Sequence, residues 1–246
     1  MKTNIEGKIA LVTGSNRGIG RAIVEALLER GATKVYAAAR NAGSVQSLVD
    51  SHGERVVPIQ LDVTQVDQVA SAAEQAKDVQ IIVNNAGYAA QTDLFAEDIS
   101  AARQEMEVNY WGTLNVVRSF VPQVEQNGDG ALINIGSMAS LVNFPPFPTY
   151  SDSKAAVHSL TQGVRLTKGN NIQVLGVYPG PVDTDMAADL QMDKATPESV
   201  ANKILDALES GETAVFPDVV AESFIGPYEA GAKTLEKGTA EMFAGS

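Results

Sequence analysis

The chain of 246 residues has no cysteine, which removes disulfides, thiolate catalysis and cysteine-ligated metals from consideration. Its two histidines, His52 and His158, cannot form a histidine-rich metal site alone, so no metal is expected. Basic residues are scarce, 18 against 30 acidic, and a formal net charge of -12 repels polyphosphate backbones, which makes nucleic acid an unexpected partner. No apolar run approaches the ~20 residues of a membrane span. The start, "MKTNIEGKIALVTG", holds too short an apolar run for a secretion signal. No membrane partner is expected, and the cytoplasm is the expected compartment. Nor is there a block of like charge, a linker or a short-period repeat, so residues 1–246 read as a single domain.

Short β-branched runs alternate with longer stretches of helical pattern. "KIALVT" (Lys8 to Thr13) reads as a strand, and Ile19 to Arg30 carries an apolar stripe at Ile19, Ile23, Ala26 and Leu27, stopped by Gly31. The cycle repeats through "KVYAAA", "RVVPIQL", "VQIIVNNAG", "ALINIGS" and "IQVLGVYPG", with "TAVFPD" as a weaker last strand. Helical segments are expected near 44–51, 65–76, 100–124, 150–167 and 197–208. Such alternation predicts an α/β fold, a doubly wound parallel sheet of about seven strands with helices on both faces. Strands that are apolar throughout, such as Ile133 to Ile135, fit burial on both sides. The segment after Pro217 is the least legible.

"TGSNRGIG", Thr13 to Gly20, sits where the first strand gives way to the first helix. Gly14, Gly18 and Gly20 let the backbone turn tightly and approach a ligand, and the helix behind them offers free N–H groups to a pyrophosphate. Any tight turn favours glycine, but three at the first strand–helix junction of an α/β chain point to a dinucleotide. At the end of the second strand an NAD site usually carries an acid for the ribose hydroxyls. Here stand Ala39 and Arg40, and Arg40, with Arg17 from the glycine turn, suits a 2′-phosphate. Either arginine alone could be a solvated surface residue; with the acid missing, the pair favours NADP(H). "LDV" ends the third strand with Asp62 and Val63, and Asp62 either accepts from an adenine amino group or caps the next helix. "NNAG" ends the fourth strand with small residues that allow close approach.

Further along, "PTYSDSKAAV" places Tyr150 and Lys154 a turn apart on one helix face. The ordered set "TGSNRGIG", "NNAG", "VNYWG", "IGSMAS", "YSDSK" and "YPGPVDT" resembles the short-chain dehydrogenases/reductases, over roughly 7–207. The resemblance implies a Rossmann sheet, hydride transfer between a nicotinamide and a carbonyl or alcohol, and a dimer or tetramer. It implies a catalytic set of Asn109, Ser137, Tyr150 and Lys154. It also implies a cofactor site formed by Gly14, Asn16, Arg17, Gly18, Ile19, Gly20, Arg40, Asp62, Val63, Asn85, Ala86, Gly87, Tyr150, Lys154, Pro179, Gly180, Val182 and Thr184.

The chemistry needs such residues. Reducing a carbonyl requires a proton for oxygen where water is excluded. A free phenol, with a pKa of about 10, is a poor donor or base near neutrality. The Lys154 ammonium, with the positive oxidised nicotinamide, is expected to pull the Tyr150 pKa down. Ser137 is expected to orient the substrate oxygen and Asn109 to hold a water beside Lys154. "MASLVNFPPFP" must border the substrate, with Phe144, Phe147 and three prolines as an apolar wall, although Phe144 could equally be core. Met186, Leu190 and Met192 could close over an apolar ligand, and Lys194 is the only evident cation there. An NADPH-dependent reductase of a small, largely uncharged aldehyde or ketone is the leading expectation. An NAD-dependent alcohol dehydrogenase, a 3-oxoacyl thioester reductase and a non-catalytic nicotinamide sensor are the rivals. Trp111 and the apolar helices 100–124 and 150–167 suggest the face on which a homodimer or homotetramer is built.

Overall fold

The computed structural model of the chain describes residues 1–90, 92–191 and 193–231. Seven strands form one all-parallel sheet: β1 (Ile9–Thr13), β2 (Lys34–Ala39), β3 (Val56–Gln60), β4 (Ile81–Asn84), β5 (Ala131–Ile135), β6 (Gln173–Val177) and the two-residue β7 (Ala214–Val215). Their spatial order is β3-β2-β1-β4-β5-β6-β7, the doubly wound arrangement expected from the alternation. The order reverses between β1 and β4, and ligands of such sheets bind outside the carboxyl ends of the strands at that reversal.

The helices explain why the strands are apolar on both faces. Residues Ala10, Val12, Val35, Ile81, Val83 and Ile133 pack on one side with α1 (Gly18–Glu29), α2 (Gln46–His52) and α7 (Pro197–Ser210). Their neighbours Leu11, Tyr36, Ile82 and Leu132 face the other way, toward α3 (Val66–Gln75), the helix at Thr113–Asn127 and the one at Pro148–Lys168. Successive side chains of a strand point to opposite faces, so burial on both sides leaves no polar position to mark the period.

The segment expected as one helix over 100–124 is a continuous rod in three pieces. It runs from α4 (Ser100–Glu105) through a π-helical stretch (Met106–Gly112) into α5 (Thr113–Asn127). The long helix α6 (Pro148–Lys168) opens with proline at its first position, where the missing N–H costs nothing. After β7, the short α8 (Val219–Glu222) and α9 (Ile225–Ala230) bring Tyr228 against Tyr178 and Phe216 in a small aromatic cluster. The expected lid residue Met192 and the last fifteen residues, 232–246, lie outside the described residues.

This C-terminal piece is bolted to the sheet by one buried acid. Asp218 Oδ1 accepts from the Ala221 N–H at 2.9 Å, capping α8, and Oδ2 accepts from the Gly180 N–H at 2.7 Å. Gly180 sits in the turn after β6, and a side chain there would strike the Asp218 carboxylate at 2.6 Å. Replacing Asp218 by alanine leaves two N–H groups without their acceptors. A loss of about 1–3 kcal/mol is expected, read as a lower urea midpoint with an unchanged slope.

Candidate active site

The site begins where β1 and β4 end side by side. Thr13 Oγ1 accepts the N–H groups of Asn85 and Ala86, each at 3.0 Å. In return Asn85 Nδ2 donates to the Thr13 and Gly14 carbonyls at 2.9 and 3.0 Å. Gly14 has φ +64 and lies against Ala86, where a Cβ would come within 3.0 Å of the Ala86 Cα. A Cβ on Gly20 would collide with the Gly14 carbonyl and with Asn85 Nδ2. Gly20 is therefore a packing glycine, and the Asn85 side chain is committed to holding the turn. Both stand among the expected cofactor residues, and both shape the crevice, Gly20 by lacking a side chain and Asn85 through its amide.

The crevice itself fits a dinucleotide. No side chain caps the N-terminus of α1, so its first N–H groups stand ready for an anion. Gly18 faces Thr184 across the opening, with 3.0 Å between its notional Cβ and the threonine methyl, which places the 179–184 turn opposite the glycine turn. Asn16 and Ile19 are half-buried in the turn, and Val182 is buried and paired with Ala195. Arg40 is exposed just beyond β2. Arg17 does not stand free beside it: its guanidinium is paired with Asp185 on the far side of the opening. Asp62 does not cap α3, which starts later. Its Oδ1 instead accepts from the Thr64 N–H and hydroxyl at 3.0 and 2.8 Å, a local turn beside buried Val63.

At the deep end stand the four residues expected to be catalytic. Ser137, in extended backbone just after β5, accepts from the Ala139 N–H at 3.1 Å and caps a single turn, Met138–Ser140. The same side chain acts on the phenol of Tyr150, favouring its ionised form. Lys154 is 5% exposed, donates to the Ile135 carbonyl at 2.8 Å, and holds its ammonium 5.8 Å from the centre of the Tyr150 ring. Gly87 lies between elements: a side chain on it would meet Asn109 Oδ1 at 3.4 Å and Lys154 Nζ at 3.7 Å.

Burial pushes the Tyr150 phenol up to about 12, the Ser137 side chain pulls against that rise, and the Glu105 carboxylate adds to it. Burial likewise brings Lys154 down to about 8. The chain by itself therefore holds the phenol protonated, because desolvation dominates; the lowering expected from Lys154 together with the oxidised nicotinamide belongs to the loaded site. Asn109 stands on the π-helical stretch. Its Oδ1 accepts from the Tyr88 N–H at 2.8 Å, and Nδ2 donates to the Tyr88 carbonyl and Ser153 Oγ, each at 2.8 Å. The carboxamide clamps the segment after β4 to the π-helical stretch and to α6, and both of its amide hydrogens are spent there.

The substrate side is drawn from three separate segments. Phe144 is half-buried, not core, and its ring lies 6.0 Å from that of Phe224 in the C-terminal piece. Val142, Met186 and Val219 are exposed apolar side chains on the loop after β5, the segment after Thr184 and α8. Two residues escaped the sequence reading. Thr13 and Asp218 stitch the site together, and each carries the mark of a small polar residue where a strand ends or a helix begins. A third is Glu105, taken up below; its only trace in sequence is the four-residue spacing from Asn109 that puts both on one face.

The family model for short chain dehydrogenases matches residues 8–195. An uncharacterized oxidoreductase of Staphylococcus saprophyticus is 31% identical over 218 residues, 83% of this chain and 92% of its own length. A short chain dehydrogenase from Burkholderia cenocepacia, solved in complex with NADP, is 41% identical with a TM-score of 0.84, covering 94% of this chain and 96% of that one. A short-chain dehydrogenase from Streptomyces avermitilis also superposes with a TM-score of 0.84, at 25% identity over 98% of this chain and 99% of that one. Among the described residues no helix is long and apolar enough to cross a membrane, and no acid, histidine or cysteine cluster could hold a metal. The crevice, the tyrosine–lysine helix and these likenesses agree: the chain belongs to the short-chain dehydrogenase/reductase family, oxidoreductases that work with a nicotinamide cofactor.

Proposed function

We propose that this chain is an NADPH-dependent reductase converting the carbonyl of a small, largely uncharged aldehyde or ketone to an alcohol. The observation that carries the reading is a phenol, Tyr150, with the ammonium of buried Lys154 5.8 Å from its ring centre and Ser137 acting on it, at the deep end of a glycine crevice. When bound, the nicotinamide supplies the hydride received by the carbonyl carbon. Tyr150 gives the proton to the carbonyl oxygen, and Ser137 holds that oxygen by hydrogen bonding as charge builds on it. Lys154, anchored by the Ile135 carbonyl, favours the phenolate left behind. Gly14, Asn16, Gly18 and Ile19 would hold the pyrophosphate end, and Val63, Ala86, Gly87, Pro179 and Thr184 would flank the rest.

The preference for NADP(H) rests on Arg40, which stands where an NAD site would carry a carboxylate, and it is in keeping with the NADP bound in the Burkholderia protein. Arg17 adds a second cation once its pairing with Asp185 is exchanged. An apolar substrate fits Phe144, Phe224, Val142 and Met186 around the entrance, with Lys194 turned toward the Ala188 carbonyl. Trp111 and Leu166, 48% and 44% exposed, support a face for a second copy and so a homodimer or homotetramer.

The test is loss of NADPH absorbance over a panel of aldehydes, ketones and 3-oxoacyl thioesters. Tyr150→Phe is expected to keep NADPH affinity and to lower turnover by about 10²-fold or more; substantial residual turnover refutes the assigned role. Arg40→Asp is expected to weaken NADPH about tenfold or more while leaving NADH nearly unchanged, measured by fluorescence titration. An unaltered ratio removes Arg40 from the site. Light scattering at micromolar concentration is expected to give at least two chains per particle, and a monomer rules out the subunit face.

A further inference from the structure

Glu105 is fully buried, at 0% exposure, and the chemistry above makes no use of it. Its Oε1 accepts from the Ala90 N–H at 2.8 Å, in the stretch after β4, and its Oε2 accepts from the Thr149 hydroxyl at 2.6 Å. Each oxygen thus has a hydrogen-bond partner. Among the described residues the charge meets hydrogen-bond donors and the N-terminus of α6, whose second residue is Thr149, rather than a cation. A helix N-terminus favours a negative charge, which explains how the acid is tolerated without water. Thr149 immediately precedes Tyr150.

We propose that Glu105 is a positioning residue of the reaction, fixing the first turn of α6 and keeping Tyr150 in its protonated, donor form until the substrate oxygen is in place. The inference rests on Tyr150 as the proton donor. The groups that act on the phenol are Ser137 from the turn after β5, Lys154, whose ammonium lies 5.8 Å from the ring centre, and Glu105 from α4, through its charge. Arg103 and Glu107, the neighbouring charges on that rod, are exposed, as is Asp152 on α6. A fixed negative charge nearby disfavours the phenolate, and the Glu105 carboxylate does push the phenol upward beyond the effect of burial. Lys154 and the oxidised cofactor act in the opposite sense. Burial sets the protonated starting state and Glu105 reinforces it, while Lys154 and the oxidised cofactor stabilise the finishing one.

Glu105→Gln separates charge from structure. Glutamine keeps an acceptor for the Ala90 N–H and can donate its amide to the Thr149 hydroxyl, so the charge is lost and the Thr149 bond is reversed while both partners stay bridged. Ionisation of Tyr150, followed by ¹³Cζ-tyrosine NMR of the cofactor-free protein with the resonance assigned from Tyr150→Phe, is expected to begin about half a pH unit or more earlier in the variant. At pH 7 alcohol oxidation, which needs the phenolate, is expected to quicken about threefold or more while carbonyl reduction slows. A residue that only braces the fold would slow both directions and leave the NMR onset where it was; that result overturns the inference. If E105Q does not fold, Thr149→Val keeps the charge and removes one donor that shields it, and the onset is then expected later; an unmoved or earlier onset overturns the inference. A wild-type protein inactive on every carbonyl would defeat the proposed reductase function, while the NMR onset would still decide the role of Glu105.

Discussion

Everything at the site depends on the lock between the ends of β1 and β4. The two strands are neighbours in the sheet but about seventy residues apart in the chain. One threonine hydroxyl and one asparagine amide make four hydrogen bonds across their ends. That exchange satisfies backbone groups which would otherwise end unpaired at the edge of the sheet. It also forbids side chains at Gly14 and Gly20, because the strand ends touch. The crevice is the space left outside this lock, between the glycine turn and the 179–184 turn. A less intimate junction would widen the crevice and set α1 at a different angle to it.

The polar groups of the deep end are held by α6 and by what packs on it. Asn109, Ser153, Lys154 and Glu105 are all buried, and each has a hydrogen-bond partner. Buried polar side chains that are fully partnered keep a single geometry, because any movement strands a donor or acceptor. In the proposed reaction the positive and negative members, Lys154 and Glu105, act on the phenol's proton in opposite senses. Neither charge could do this in water, where screening would erase the difference.

Much of this was legible beforehand, for identifiable reasons. The strands could be read because doubly covered β-strands are uniformly apolar, and the glycine turn because its spacing breaks that pattern at a strand end. Tyr150 and Lys154 could be paired because helical spacing is rigid. The π-helical stretch could not be read, since one extra residue in a long helix hardly disturbs an apolar stripe. The pairing of Arg17 with Asp185 joins residues far apart in the chain and leaves no local sign. The direction of the Tyr150 shift depends on burial, which is a property of the packed molecule rather than of the Tyr–Lys spacing. Glu105 was hidden because an acid on a helix is ordinarily solvated, and only its neighbours reveal that this one is not.

The wide turn at Met106–Gly112 has a geometric corollary. A π-helical turn holds one residue more than an α-helical turn, and each residue of an α-helix advances the facing direction by about 100°. Deleting a single residue there would mend the hydrogen-bond ladder and improve the helix as a helix. It would also swing α4 about its own axis, carrying the Glu105 carboxylate away from Thr149 and leaving an unmatched charge to find water. The irregularity is a phase offset that lets one rod aim Glu105 and Asn109 at the same neighbour.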